Sequence, residues 1–271
     1  MYRINKIHGN VWVIGEDIRP DFTNSMVLVA GKESAALIDT GCGTGNLKET
    51  IAGLTSLPVT VLTTHVHLDH IGGHPYFEDI YASENEMREW MEKGLWRTSA
   101  ADRLDFLRAA AEGNKELFAR LEAEMLVESR FTWKPLKVGM VFDLGGVILE
   151  TCMVPGHTRE SFVFVNRSRE EAYVGDSINP TPWLITECGV SVMEYGRSVK
   201  KFAERYPMVR RLYSGHCMDD IGIQTIKDTL DCVDEILAGA VDPEVSCYAG
   251  KAFRHVCRSV DMLYDRNHVY D

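Results

Sequence analysis

Three histidines and one aspartate fall within six consecutive positions, His65-Val66-His67-Leu68-Asp69-His70. From the chain's own composition, this HxHxDH pattern has roughly six chances in ten thousand of arising by accident, so it is read as a site. The apolar run Val59-Thr60-Val61-Leu62-Thr63 leads into it and predicts a strand. His65 and His67 stand two apart, so an extended backbone leaving that strand aims both imidazoles to one side, where they can share a metal. Asp69 lies on the same alternation. His70 needs a turn to join them, which Gly72-Gly73 permits. Two adjacent metals would use all four groups. Imidazole with carboxylate suits zinc, and also iron or manganese, whereas calcium and magnesium prefer oxygen donors.

A hydrolytic metal pair needs about three protein ligands on each ion, so further donors are required. Three positions at strand ends can supply them. Met153-Val154-Pro155-Gly156-His157 places His157 in a turn after an apolar run, Tyr173-Val174-Gly175-Asp176 ends a second run in Asp176, and Leu212-Tyr213-Ser214-Gly215-His216 ends a third in His216. Each follows a glycine, whose missing Cβ lets the backbone approach a crowded centre. His8, His255 and His268 have no such context and are read as structural or exposed. Cys42 and Cys217 adjoin the same loops and are read as buried and inert.

The elements that must position these groups follow from hydrophobic periodicity. Strands are predicted at Val11–Ile14, Met26–Ala30, Ser34–Ile38, Val59–Thr63, Val147–Met153, Ser161–Val165 and Ala172–Val174. Helices are predicted at Thr44–Leu54, Ser191–Arg205 and Ile223–Leu237, the second with a Ser191/Glu194 capping box. Residues 83–130 read as two or three amphipathic helices inserted between the strand-rich halves. No linker divides the chain, so residues 1–271 are read as one domain carrying that insertion. The fold class is α/β: two packed mixed sheets covered by helices on both outer faces.

Composition narrows the partners. Lys plus Arg number 29 against 40 Asp plus Glu, and the net charge of −11 argues against gripping a nucleic acid. No apolar run is long enough to span a bilayer and no signal peptide is visible, so the expectation is a cytoplasmic protein acting on a small molecule away from membranes. Seven scattered cysteines without CxxC spacing form neither a disulfide framework nor a zinc ribbon. Oligomeric state leaves no trace in the sequence.

From about Val11 to Leu237 the chain resembles the metallo-β-lactamase superfamily of hydrolases. The resemblance implies an αββα sandwich with two divalent metal ions, zinc foremost, at one edge between the sheets. It implies that His65, His67 and His157 hold the first metal, that Asp69, His70 and His216 hold the second, and that Asp176 bridges them. Asp39, in Leu37-Ile38-Asp39-Thr40-Gly41, matches an aspartate that orients a ligating histidine. The implied chemistry is attack by a metal-bridging hydroxide, oriented by Asp69, on a substrate oriented by the metals.

The subfamilies narrow the substrate by subtraction. Glyoxalase II is similar in THxHxDHxGG and GHT, but Asp176 is followed here by Ser177-Ile178-Asn179-Pro180-Thr181-Pro182-Trp183 rather than a glycine-rich run with glutathione contacts. Quorum-sensing lactonases carry a Tyr shortly after that Asp, where the nearest aromatic here is Trp183. The basic appendage of ribonuclease Z relatives and the Glu of flavodiiron proteins are both missing. The resulting expectation is a dinuclear metal hydrolase of a small thioester, ester or lactone. The alternatives are a phosphodiesterase on the same site and a mononuclear iron oxidoreductase similar to persulfide dioxygenase. His74, Trp90, Leu95, Trp96 and Trp183 are the candidates for the substrate pocket.

Overall fold

Two β-sheets lie face to face because strands in each carry apolar residues on both sides, one set for the shared interior and one for a helical layer. The computed structural model describes residues 2–92, 99–127, 130–185, 188–247 and 250–271. The first sheet has seven strands in sequence order, β1 Arg3–His8, β2 Val11–Arg19, β3 Phe22–Ala30, β4 Ala35–Ile38, β5 Val59–Leu62, β6 Ile80–Ser83 and β7 Lys134–Leu136. Its first four strands are antiparallel and its last four parallel, with β4 common to both halves. The second sheet contains β8 Val141–Asp143, β9 Ile148–Met153, β10 Phe162–Asn166, β11 Glu171–Gly175 and β13 Arg211–Ser214, in the order β13-β11-β10-β9-β8.

Side-chain alternation on these strands builds the layers. Val13, Val27, Ile38 and Leu62 of the first sheet meet Leu149, Phe162, Phe164, Tyr173 and Tyr213 of the second in one buried cluster. The opposite face of the first sheet, with Ile14, Met26, Leu28 and Leu37, is covered by Leu47 and Ile51 of α1 Leu47–Leu54. The opposite face of the second sheet packs on α6 Val192–Arg205 and α7 Gln224–Leu237 through Tyr195, Val199, Phe202, Ile226 and Val233. This is the expected helix, sheet, sheet, helix order.

A third sheet was not expected. It joins β12 Trp183–Leu184, β14 Glu244–Cys247, β15 Gly250–Cys257 and β16 Val260–Tyr264 in the order β12-β16-β15-β14. Its alternation is hidden in the sequence because the buried positions of β15 are Ala252, His255 and Cys257, and a histidine breaks an apolar pattern. His255 is buried between two carboxylates, its Nδ1 2.9 Å from Asp242 and its Nε2 3.0 Å from Glu235.

The expected insertion contains three helices among the described residues, α3 Glu84–Glu92, α4 Ala100–Ala110 and α5 Lys115–Glu124. Between β5 and β6 lies the four-residue α2 Leu68–Ile71. The capping reading at Ser191 holds, since its hydroxyl accepts from the Glu194 N–H. The first helix starts three residues later than predicted, because Asn46 caps it by accepting from the Glu49 N–H.

Candidate metal centre

The seven candidate ligands come from four separate segments and meet where the ends of β5, β9, β11 and β13 converge. His65 and His67 follow β5, His67 in extended conformation, and α2 then turns the chain at Asp69 and His70. His157 follows β9, Asp176 directly follows β11, and His216 lies two residues beyond β13. β11 and β13 are parallel neighbours, which brings Asp176 and His216 side by side.

Three ring nitrogens converge first. His67 Nδ1 lies 3.1 Å from His65 Nε2 and 2.7 Å from His157 Nε2. A second group gathers beside it, with His70 Nε2 and His216 Nε2 each 3.8 Å from Asp69 Oδ2. Asp176 Oδ2 stands between the groups, 3.1 Å from His216 Nε2, 3.6 Å from His70 Nε2 and 3.7 Å from His157 Nε2. His65 and His70 are buried, whereas His67, Asp69 and His216 are half-buried and form the open side.

The outer nitrogen of every one of these imidazoles has a partner. His70 Nδ1 donates to Asp39 Oδ2 at 2.8 Å, His157 Nδ1 to the Trp183 carbonyl at 2.8 Å, and His216 Nδ1 to the Thr23 carbonyl at 3.1 Å. His65 Nδ1 lies 3.1 Å from the Thr64 hydroxyl, which itself donates to Asp39. His67 Nε2 lies 3.4 Å from the Cys188 thiol. An outer nitrogen held in this way turns the other ring nitrogen, Nε2 of His65, His70, His157 and His216 and Nδ1 of His67, toward the cleft as the candidate metal donor. Asp39 also accepts the Thr64 backbone N–H, and it adopts a left-handed backbone with φ of 60°. Non-glycine residues rarely adopt that conformation, and here three hydrogen bonds hold it.

The electrostatics divide the site in two. Burial, reinforced by neighbouring imidazoles, pushes His65 and His67 well below the usual histidine range, and burial lowers His157 as well. These three are held neutral, the form in which imidazole binds a metal. At His70 burial opposes the charge, but Asp176, Asp69 and Asp39 outweigh it and hold the pKa well above the usual value. His216 is raised in the same way, burial being overcome chiefly by Asp176. Asp176 is buried too, yet His216 and His70 keep it well below the usual carboxylate range.

A divalent cation fits this set. Five imidazoles and two carboxylates form three overlapping groups whose ligand atoms lie within 4.8 Å of one another. Two fully buried atoms, His70 Nε2 and Asp176 Oδ1, have no hydrogen-bond partner. Buried polar atoms left so are rare, and a cation between them accounts for both.

The other sequence candidates fare differently. His74 is fully buried, and its two ring nitrogens bond the hydroxyls of Thr40 at 2.7 Å and Thr63 at 2.8 Å. It opens the short helix His74–Tyr76. Trp183 meets the site through its backbone carbonyl, which holds His157. Leu95 and Trp96 lie outside the described residues, as does the side chain of Trp90 on α3. Cys42 is buried, with its thiol pushed well up by burial.

Sequence reasoning missed Thr64, Cys188 and Glu86. Thr64 adjoins the motif and was legible there. Cys188 and Glu86 lie far from it in sequence and carry no local signal. Glu86, on α3, accepts the Val66 N–H at 3.3 Å and the Glu160 N–H at 3.2 Å, so one buried carboxylate joins the two loops that present His65, His67 and His157.

Comparison with known proteins agrees with the fold. Residues 18–216 match the family model described as the metallo-beta-lactamase superfamily. The chain is 27% identical over 168 residues to the acyl-coenzyme A thioesterase MBLAC2 of Bos taurus and, equally, to that of Homo sapiens. Each match covers 56% of this chain and 57% of the relative, so the chain spans a little over half the length of these relatives. Among solved structures, the metallo-beta-lactamase from Pontibacter korlensis superposes with a TM-score of 0.60 at 18% identity, covering 85% of this chain and 98% of that one. The metallo-beta-lactamase from Hirschia baltica gives 0.58 at 15% identity, covering 85% and 96%. At those identities they establish the fold alone.

Proposed function

Because the chain belongs to the metallo-beta-lactamase superfamily, we propose that it is a hydrolase that works with two divalent metal ions, zinc foremost, and cleaves a small thioester. His65, His67 and His157 would hold one ion and Asp69, His70 and His216 the other, with Asp176 between them. The observation that carries this reading is the convergence of seven donor side chains whose imidazoles are each tied at the outer nitrogen. The thioester is favoured over an ester or lactone by the two relatives named as acyl-coenzyme A thioesterases.

When bound, the ions supply Lewis acidity toward water and toward the substrate oxygen that gains negative charge. The chain's own groups do the positioning. Asp69, half-buried on the open side, accepts a hydrogen bond from the attacking water and aims its oxygen at the carbonyl carbon. Asp39 fixes His70, and the Trp183 carbonyl fixes His157, so no imidazole must reorient as charge develops. Attack breaks the carbon–sulfur bond and releases a carboxylate and a thiol.

Free-thiol release from acyl thioesters, measured on zinc-loaded and chelator-treated protein, tests the reading. Activity is expected only in the loaded protein. His67→Ala and Asp176→Ala should each lose bound metal and about a hundredfold or more in rate. Fully zinc-loaded protein that is inert on thioesters, esters, lactones and phosphodiesters would overturn it, as would one iron per chain with oxygen consumption.

A further inference from the structure

Four of the five imidazoles in the cleft rest on oxygen acceptors, and one rests on sulfur. His67 Nδ1 faces the converging nitrogens of His65 and His157, so its Nε2 is the outer atom, and that atom lies 3.4 Å from Cys188 Sγ. The thiol is held there by backbone bonds. The Arg159 N–H donates to the Cys188 carbonyl at 2.8 Å, and the Val190 N–H donates to the Gly156 carbonyl at 3.0 Å. These two bonds clamp the 188–190 segment onto the turn that carries His157.

We propose that Cys188 is a positioning residue of the metal centre, accepting the His67 Nε2–H so that Nδ1 is the nitrogen offered to the metal. The proposal rests on the ligand reading of His67 given above. The alternative tautomer would place a proton on Nδ1, 2.7 Å from His157 Nε2, where a metal is to bind. A sulfur acceptor is weaker than the oxygen acceptors used elsewhere in the cleft. Cys188 acts through His67 and needs no contact with substrate.

The test is zinc affinity of the metal-free protein, measured by competition with a chromophoric chelator for wild type, Cys188→Ala and Cys188→Ser. Removing the acceptor should weaken zinc binding by about tenfold or more, the usual scale for loss of a partner behind a metal-bound histidine. Serine restores an acceptor and should bind within about threefold of wild type. Equal affinity in wild type and Cys188→Ala overturns the inference while leaving the ligand reading intact. A wild type that takes up no zinc removes both. Should Cys188→Ala not fold, long-range proton–nitrogen spectra of zinc-loaded wild type decide the matter: a proton on His67 Nε2 is expected, and one on Nδ1 refutes the proposal.

Discussion

At the scale of single residues, the centre depends on small groups that leave room as much as on the donors. A Cβ added at Gly215 would lie 2.6 Å from Asp176 Oδ1 and 2.6 Å from His70 Cε1, closer than real Cβ atoms approach. The glycine before His216 therefore lets the β13 loop close on the second group of ligands. Gly215→Ala should keep the fold and lower the zinc bound per chain below that of wild type, read by metal analysis after gel filtration. Equal zinc in variant and wild type would show that the loop can yield. At Gly156 the expected reason is different: the space is filled by the Tyr195 ring, 2.4 Å from an added Cβ, so this glycine serves the packing of α6 behind His157.

At the scale of elements, the inserted helices are tied to the ligand loops. Glu86 on α3 accepts from two backbone N–H groups and lies in a buried setting that pushes its carboxyl up to about 7. Glu86→Ala would leave both N–H groups without acceptors, at a cost of about 2–4 kcal/mol for the pair. Urea unfolding should show the loss at pH 5, where burial keeps the folded carboxyl protonated and the substitution relieves no buried charge; a midpoint equal to wild type would mean that water replaces the carboxyl. The third sheet plays a comparable part. β12 pairs in parallel with β16, and the Leu263 N–H donates to the Pro182 carbonyl, which sets the strand whose Trp183 carbonyl holds His157. Residues 261–265 thus reach the candidate site through backbone hydrogen bonds to the segment that carries Trp183.

At the scale of the whole molecule, charge is used mainly to tie layers together, and no described helix is long and apolar enough to cross a membrane. Glu150 on β9 accepts from Arg167 at 2.7 Å, Arg205 at 3.0 Å and Tyr206 at 2.8 Å, and Arg167 foremost, with Tyr206 and Arg205, overcomes burial to hold its carboxyl at about 2, below the usual 4.5. A depressed carboxylate stabilises the fold above its unfolded pKa and loses that contribution as pH falls through the folded one. Glu150→Gln should therefore be less stable than wild type at pH 7, by about 1–2 kcal/mol after solvent screening. The gap should narrow between pH 4.5 and 2, and a gap that stays constant in urea titrations across that range would contradict it. The HxHxDH run, the three glycine-preceded donors and the alternating strands were legible in the sequence, because ligand types and side-chain periodicity are local properties. The partners of the outer nitrogens were not legible, since Thr23, Trp183 and Cys188 reach the imidazoles only when separate loops converge. β15 was hidden by its buried histidine. The sequence by itself determined which side chains could bind metal and the layered fold that gathers them. Only the tertiary structure decided which ring nitrogen of each imidazole faces the cleft, because that depends on partners brought from distant strands.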